Sequence, residues 1–450
     1  MKLIIRNIKS LIVLILISLV IGMSFFVPDR TYTNYNYFCF IIFLFMTFLF
    51  FKIKEKKNYF DFDSIFIAMY AIVAFVFPIF LFSSKTPFAE FFNLKYNVNL
   101  VSKGMYISLL GISGYYAGSL LKKKRIIEQS KGGKISTFFL TFTSLILALL
   151  FCLLGGLQLY QSIYLKTTFE PTGPLFQVIV LLQAVILTAI ATEAYNQKSV
   201  KGYTYNKVFL ITCLAISFLF LYAGSRSIAS FFLLPLAYWY IREYKPINFL
   251  KFVLLILFAI IFMFVIQQTR VGAQIKLSTG FDVVKDLTIV DRNTYIGIQM
   301  ADNNGFTYGK TMLIGVIGVV PSLERFLTEF FGINIDNFGS AELFTSYTFH
   351  NNPNRFGLGT NIFIDIFLSF GYIGTFLLMF YLGFFISNAY AKSNASNYYY
   401  YIIYTVMIAN SVYMVRASFT YPLKLLIWSL FIGLLNKSII RRIGNFNLSK

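Results

Sequence analysis

Charge is what this 450-residue chain has least of: Asp, Glu, Lys and Arg together make up 13% of it, about half the share of an ordinary soluble domain. Acid is the scarcer sign, with 18 acidic residues against 39 basic ones and a net charge of +21. Histidine occurs once, as His350, which excludes a His-rich metal site. The three cysteines, Cys39, Cys152 and Cys213, all lie inside apolar runs and form no C-x-x-C, so neither disulfides nor a zinc site is expected. What fills the chain is hydrocarbon, with 58% hydrophobic residues and a mean hydropathy of +0.70.

Apolar runs of about 17–25 residues recur along the whole length, long enough to cross a bilayer as helices. They predict an all-α, polytopic integral membrane protein. The runs give twelve spans: 10–27, 37–51, 64–82, 104–121, 136–154, 175–194, 207–223, 228–241, 250–267, 362–388, 398–415 and 419–436. The basic start and first apolar run resemble a signal peptide. The run is long and no A-x-A-like site follows, so it reads as an anchor.

Lys and Arg orient the chain. With the N-terminus in the cytoplasm, 24 of the 39 basic residues fall on inner segments or their edges. The positive-inside rule then places both termini in the cytoplasm. The run Lys122-Lys123-Lys124-Arg125 belongs to this topological signal, and no nucleic-acid partner is expected from it.

One connection differs from the rest. Residues 268–361 separate nine spans (1–267) from the last three (362–450) and lie on the outer face. This segment carries seven basic and eight acidic residues, so it is no bulk cationic funnel. An anion site in it must be built from particular side chains. Phe281 to Met300 mixes apolar and charged residues like an amphipathic helix. Met312 to Pro321 is apolar but too short to span, and reads as re-entrant or interfacial. Long connections of this kind are usually lids or binding elements. No internal repeat is found, and the loop asymmetry argues for an enzyme working on one face rather than a carrier built from two halves.

The outer side also holds arginines beside hydrocarbon. Arg226 lies between two apolar runs in Gly224-Ser225-Arg226. A cation there needs an interfacial escape or an anionic partner. Arg270 begins the long loop, Arg292, Arg325 and Arg355 lie within it, and Arg416 joins the last two spans. The plain readings are interfacial anchoring for Arg226 and Arg270, and pairing of Arg325 with Glu324 or Glu329 on a surface helix.

Four stretches carry a family resemblance. They are Gly224-Ser225-Arg226; Gln268-Thr269-Arg270; Tyr308-Gly309-Lys310 through Val320-Pro321-Ser322-Leu323-Glu324-Arg325; and Gly357-Leu358-Gly359-Thr360 through Asp365 to Phe370-Gly371-Tyr372-Ile373-Gly374. In this order, with the long loop between them, the chain resembles Wzy-type repeat-unit polymerases of O-antigen and capsule synthesis. The likeness covers roughly 220–390; the N-terminal half matches only as a row of spans. Such polymerases often have Glu in the last stretch, where this chain has Asp365.

The resemblance implies a GT-C-like membrane glycosyltransferase in the bacterial inner membrane. Its substrate would be a short oligosaccharide linked through pyrophosphate to undecaprenol, drawn from the membrane lipid. A chain-length regulator and a flippase would be its partners. Pyrophosphate is already a good leaving group and needs charge stabilisation, which a permanently charged, bidentate guanidinium supplies. The expected anion-binding residues are Arg226, Arg270, Arg325, Arg416, Arg292 and Arg355. His350 is the candidate base, and Asp365 is the candidate to orient an arginine. No D-x-D or similar carboxylate cluster faces outward, so metal-free, cofactor-free chemistry is expected. The alternatives are an O-antigen ligase, which shares many spans, a long outer loop and outer arginines; a lipid-linked oligosaccharide flippase, which the scarcity of charge within spans disfavours; and a structural or sensory membrane protein, which leaves the outer arginines unexplained.

Overall fold

A chain this apolar satisfies its backbone in lipid by closing hydrogen bonds within helices. The computed structural model follows that rule: it consists of helices and turns, with no strand among the described residues. It describes residues 2–82, 96–121, 134–165, 173–200, 202–268, 287–332, 338–349, 357–394 and 397–448.

In chain order the helices are α1 (Lys2–Gly22), α2 (Thr33–Ile53), α3 (Phe62–Leu81), α4 (Val101–Leu120), α5 (Phe138–Leu153), α6 (Gly156–Leu165), α7 (Gly173–Ser199), α8 (Lys207–Tyr222), α9 (Arg226–Tyr244) and α10 (Phe249–Gln268). Four short helices follow: α11 (Arg292–Asn304), α12 (Lys310–Ile317), α13 (Leu323–Phe331) and α14 (Ser340–Thr348). The chain closes with α15 (Ile362–Asn394), α16 (Tyr398–Asn410) and α17 (Leu423–Leu448).

Four helices are long and apolar enough to cross a membrane: α2, α3, α7 from Pro174, and α15. The pair α5–α6, bent by 56°, makes a fifth if it counts as one span. The apolar stretches Leu11–Phe26, Lys207–Tyr222 and Phe249–Phe262 are shorter. Helix α4 is 20 residues long but rich in Gly, Ser and Tyr, and nearly all of its residues are buried against protein. A helix wrapped by its neighbours meets little lipid, so its sequence is freed from the hydropathy that a lipid-facing span needs.

The tightest helix pair is α4 with α15. Its closeness rests on missing side chains. A Cβ on Gly118 would sit 1.8 Å from the Phe380 carbonyl oxygen, and one on Gly383 would sit 2.1 Å from that of Tyr115. Small residues at membrane helix interfaces allow this backbone approach.

The two ends of the bundle differ. At the lower end, Lys54 binds Asp63 at 2.7 Å and Ser119 at 2.7 Å, while Lys56 binds Asp61 at 2.5 Å. There too the Arg242 guanidinium stacks on Trp239 and Tyr390. The upper end carries α11 to α14. The N-terminal turn of α4 reaches it, with Lys103 paired to Asp302 at 2.9 Å and Gly104 pressed against Tyr295.

Candidate functional site

The upper end is held together by polar side chains buried beneath the short helices. A 3-10 turn, Ile289–Asp291, leads into α11, and both are sewn to the residues that open α15. The Asn293 side-chain amide donates to the carbonyls of Leu358 (2.8 Å) and Gly359 (3.0 Å). From the other side, the Asn361 amide donates to the Val290 carbonyl (3.2 Å) and the Thr294 hydroxyl (3.0 Å). The Asn361 carbonyl oxygen also accepts from the Ile364 amide at 3.0 Å, capping the first turn of α15. Thus Gly357 to Asn361 is a fixed seam and not a free turn.

A second seam lies deeper. Helix α15 breaks at Gly371, whose φ of 66° and ψ of −156° are open to glycine and strained for other residues. The break frees the carbonyls of Leu368 and Ser369. They accept from the amides of Thr307 (2.9 Å) and Tyr308 (3.1 Å). The Phe306 ring covers Gly371, and the Phe370 ring covers Gly309. Tyr308-Gly309-Lys310 and Phe370-Gly371, far apart in sequence, are therefore docked on each other.

Asp365, in the first turn of α15, is fully buried. Its carboxylate accepts from the Phe419 amide at 3.0 Å, with the hydroxyls of Ser340 and Thr311 beside it. It thus ties α15 to the connection between α16 and α17, three residues beyond Arg416. Arg416 itself is half-buried, in the short turn Met414–Arg416. Arg226 begins α9 and is also half-buried. The Phe231 ring stacks on Tyr413 at 5.4 Å, which brings the starts of α9 and of the Arg416 turn to the same end of the bundle.

Arg292 opens α11, which packs on α4, α14 and α15. It is 6% exposed. Its Nε and Nη1 are buried with no hydrogen-bond partner among the described residues. Nη2 reaches the Asn293 side-chain oxygen only at 3.5 Å, the outer limit of a hydrogen bond. Burial lowers the pKa of this guanidinium to about 10, with Tyr96 opposing the shift. The neighbouring Asp291 carboxyl is buried too. It accepts from Tyr295 at 2.6 Å and from Thr294 at 3.2 Å, and burial pushes its pKa up to about 8 against those hydrogen bonds. A buried cation whose donors are unpaired among the described residues is costly and suited to an anionic ligand.

Arg325 lies apart, with 80% of its side chain exposed and an ion pair of 2.7 Å to Glu329 on α13. Arg270, Arg355 and His350 lie outside the described residues, as does Lys122 to Arg125. Sequence reasoning passed over Asn293, Asn361, Asp291 and the glycine crossing. Gly114-x-x-x-Gly118 was the visible signal for the crossing. No cluster of three or more His, Cys, Asp or Glu side chains with metal-holding geometry occurs among the described residues.

The chain matches the family model for O-antigen polysaccharide polymerase Wzy over residues 8–442, nearly its whole length. It belongs to the Wzy family. Wzy polymerases join lipid-linked oligosaccharide repeats in membranes, and the apolar helices agree with a multi-pass membrane protein. No curated protein and no solved structure matches the chain. The family match extends into the N-terminal half, beyond the 220–390 region that carries the motif resemblance.

Proposed function

We propose that this Wzy-family protein polymerises undecaprenyl-pyrophosphate-linked repeat units at its upper end, which faces away from the cytoplasm, and that Arg292 holds the pyrophosphate. The observation that carries this reading is the buried Arg292 guanidinium, whose Nε and Nη1 have no hydrogen-bond partner among the described residues. An acceptor hydroxyl on the next lipid-linked unit attacks the anomeric carbon of the growing chain. The new glycosidic bond forms as the bond from that carbon to the pyrophosphate oxygen breaks. Undecaprenyl pyrophosphate leaves with the electron pair, and the hydroxyl proton passes to a base, for which His350 is the candidate from sequence. Charge-assisted bonds from guanidinium to phosphate oxygens offset the growing negative charge.

Arg226 and Arg416, gathered at the same end, are two further candidates for holding either lipid pyrophosphate. Asp365 acts through the Phe419 amide as a positioning residue for the Arg416 turn. The basic lower end, with Lys54, Lys56, Arg242 and Lys392, supports a cytoplasmic placement of that end and of the termini; the twelve crossings and the inner membrane rest on the sequence. A chain-length regulator and a flippase remain the expected partners. The test is a polymer ladder from purified lipid-linked single repeats in liposomes, normalised to protein. Arg226→Ala and Arg416→Ala should each shorten or abolish the ladder. Full ladders from both would confine the anion site to the Arg292 side. A protein that consumes no lipid-linked repeats but transfers finished polymer to a lipid A core would be a ligase.

A further inference from the structure

Helix α13 has no buried residue, although it belongs to a chain whose other helices pack into a bundle. Its apolar residues, Leu323, Phe326, Leu327, Phe330 and Phe331, fall at i, i+3, i+4, i+7 and i+8, which is one helix face. Phe326, Phe330 and Phe331 are 46%, 72% and 64% exposed. The opposite face, Glu324, Arg325, Thr328 and Glu329, turns toward a cleft of about 430 Å³ that Gln177 and Lys424 also line. Both ends of the helix are bent sharply, by Ser322 (φ 64°) and by Gly332 (φ 63°), so its extent is fixed by the backbone.

The depth of this helix is fixed by what holds it. The turn preceding α13 is bolted to α17, where Trp428 Nε1 donates to the Val319 carbonyl at 2.9 Å. The Thr420 hydroxyl donates to the Met312 carbonyl at 3.1 Å just before α17 begins. Trp428 is flanked by an exposed apolar stripe on α17: Ile427, Phe431, Leu434 and Leu435. The sequence reads 419–436 as the last span, and on such a span an exposed apolar stripe faces lipid and a tryptophan at its start marks the interface. The Trp428 bond thus sets the turn before α13 beside the first turns of α17, where this exposed stripe begins.

We propose that α13 is an interfacial helix whose Phe326, Phe330 and Phe331 lie among the acyl chains of the bilayer at the upper end, with its charged face turned inward to the cleft. The apolar-below, charged-above pattern is that of a helix lying in the membrane plane. The occupant is lipid, because this amphipathic helix buries no residue and is tied through Trp428 to the start of the exposed apolar stripe on α17.

The test uses the full chain in liposomes, with Cys39, Cys152 and Cys213 replaced by Ala. Phe330→Cys, Phe326→Cys and Thr328→Cys are each labelled with an environment-sensitive nitrobenzoxadiazole. Nitroxide-labelled phosphatidylcholine should quench the label at 330 and 326 at least threefold more than at 328. Iodide in the water should quench 328 more than either. Equal iodide quenching at all three sites would overturn the proposal by placing the helix in water. Shielding of 330 and 326 from both quenchers would overturn it by showing that protein, a second copy or a partner, covers the face.

Discussion

Replacing Arg292 with Met separates a ligand-binding role from a structural one, because the two predict opposite signs for stability. The guanidinium is 6% exposed, and among the described residues Nε and Nη1 are unpartnered and Nη2 reaches only Asn293, at 3.5 Å. Each buried donor left unsatisfied costs about 1–3 kcal/mol. Even a buried ion pair replaced by apolar residues of similar volume is often neutral or stabilising by about 1–4 kcal/mol, and a guanidinium with no ion pair among the described residues has less attraction to lose. Arg292→Met should therefore unfold at a higher temperature than the parent in detergent micelles. Activity should move the other way. Losing a donor aimed at developing charge costs roughly 2–4 kcal/mol, or about 30- to 1000-fold in rate. Arg292→Lys, which keeps charge but loses the planar fork, should fall between. The assay is the polymer ladder from lipid-linked repeats beside a thermal scan on the same preparation. A variant both less stable and less active would make Arg292 a structural residue. A fully active variant would remove it from the site altogether.

Asp291 predicts a pH dependence. Its folded pKa, about 8, lies above the ordinary 3.8, so the folded chain holds this proton after the unfolded chain has lost it. Its contribution to stability is complete below about pH 4 and is lost as pH rises toward 8; Asp291→Asn should flatten that slope in thermal scans between pH 5 and 8.5, and an unchanged slope would show that another group sets it. Asn361→Ala removes three hydrogen bonds at a fully buried position and should cost about 2–4 kcal/mol in chemical or thermal unfolding; a loss below about 1 kcal/mol would mean the seam is dispensable. Gly118→Ala drives a Cβ into the Phe380 carbonyl and should cost about 3 kcal/mol or more, seen as lower membrane yield and melting temperature. Ladder formation should persist in EDTA; loss of the ladder restored by a divalent cation would refute metal-free transfer.

The helical class was legible because membrane helices advertise themselves by run length alone. The short helix Lys310–Ile317 falls on the apolar run Met312 to Pro321, and Arg325 makes its pair with Glu329, since an i,i+4 neighbour is readable without a fold. What stayed hidden depends on partners far along the chain. Asn361 reaches Val290 across 71 residues, and Thr307 reaches Leu368 across 61. Nothing local distinguishes these polar residues from any others in a turn. The Gly371 break was hidden for a related reason. A glycine in an apolar run looks like a packing residue until the amides that fill the gap are known. Asp291 read as one more loop charge, because burial is a property of the neighbours and not of the residue.

The break at Gly371 also serves as a depth gauge. The 23 residues of α15 beyond it make a helix about 34 Å long, close to the roughly 30 Å of a bilayer's hydrocarbon. The nine residues before it, Ile362 to Phe370, add about 13 Å more. If the lower segment fills the hydrocarbon, the upper one stands among headgroups and water, and it carries Asp365 and the seam to Arg292 with it. A polyprenyl tail then need not leave its leaflet for its pyrophosphate to reach that level, and a lengthening saccharide emerges directly into solvent. On the proposed function, the join between the two halves of one helix would divide the molecule into a part that holds the lipid and a part that handles the sugar.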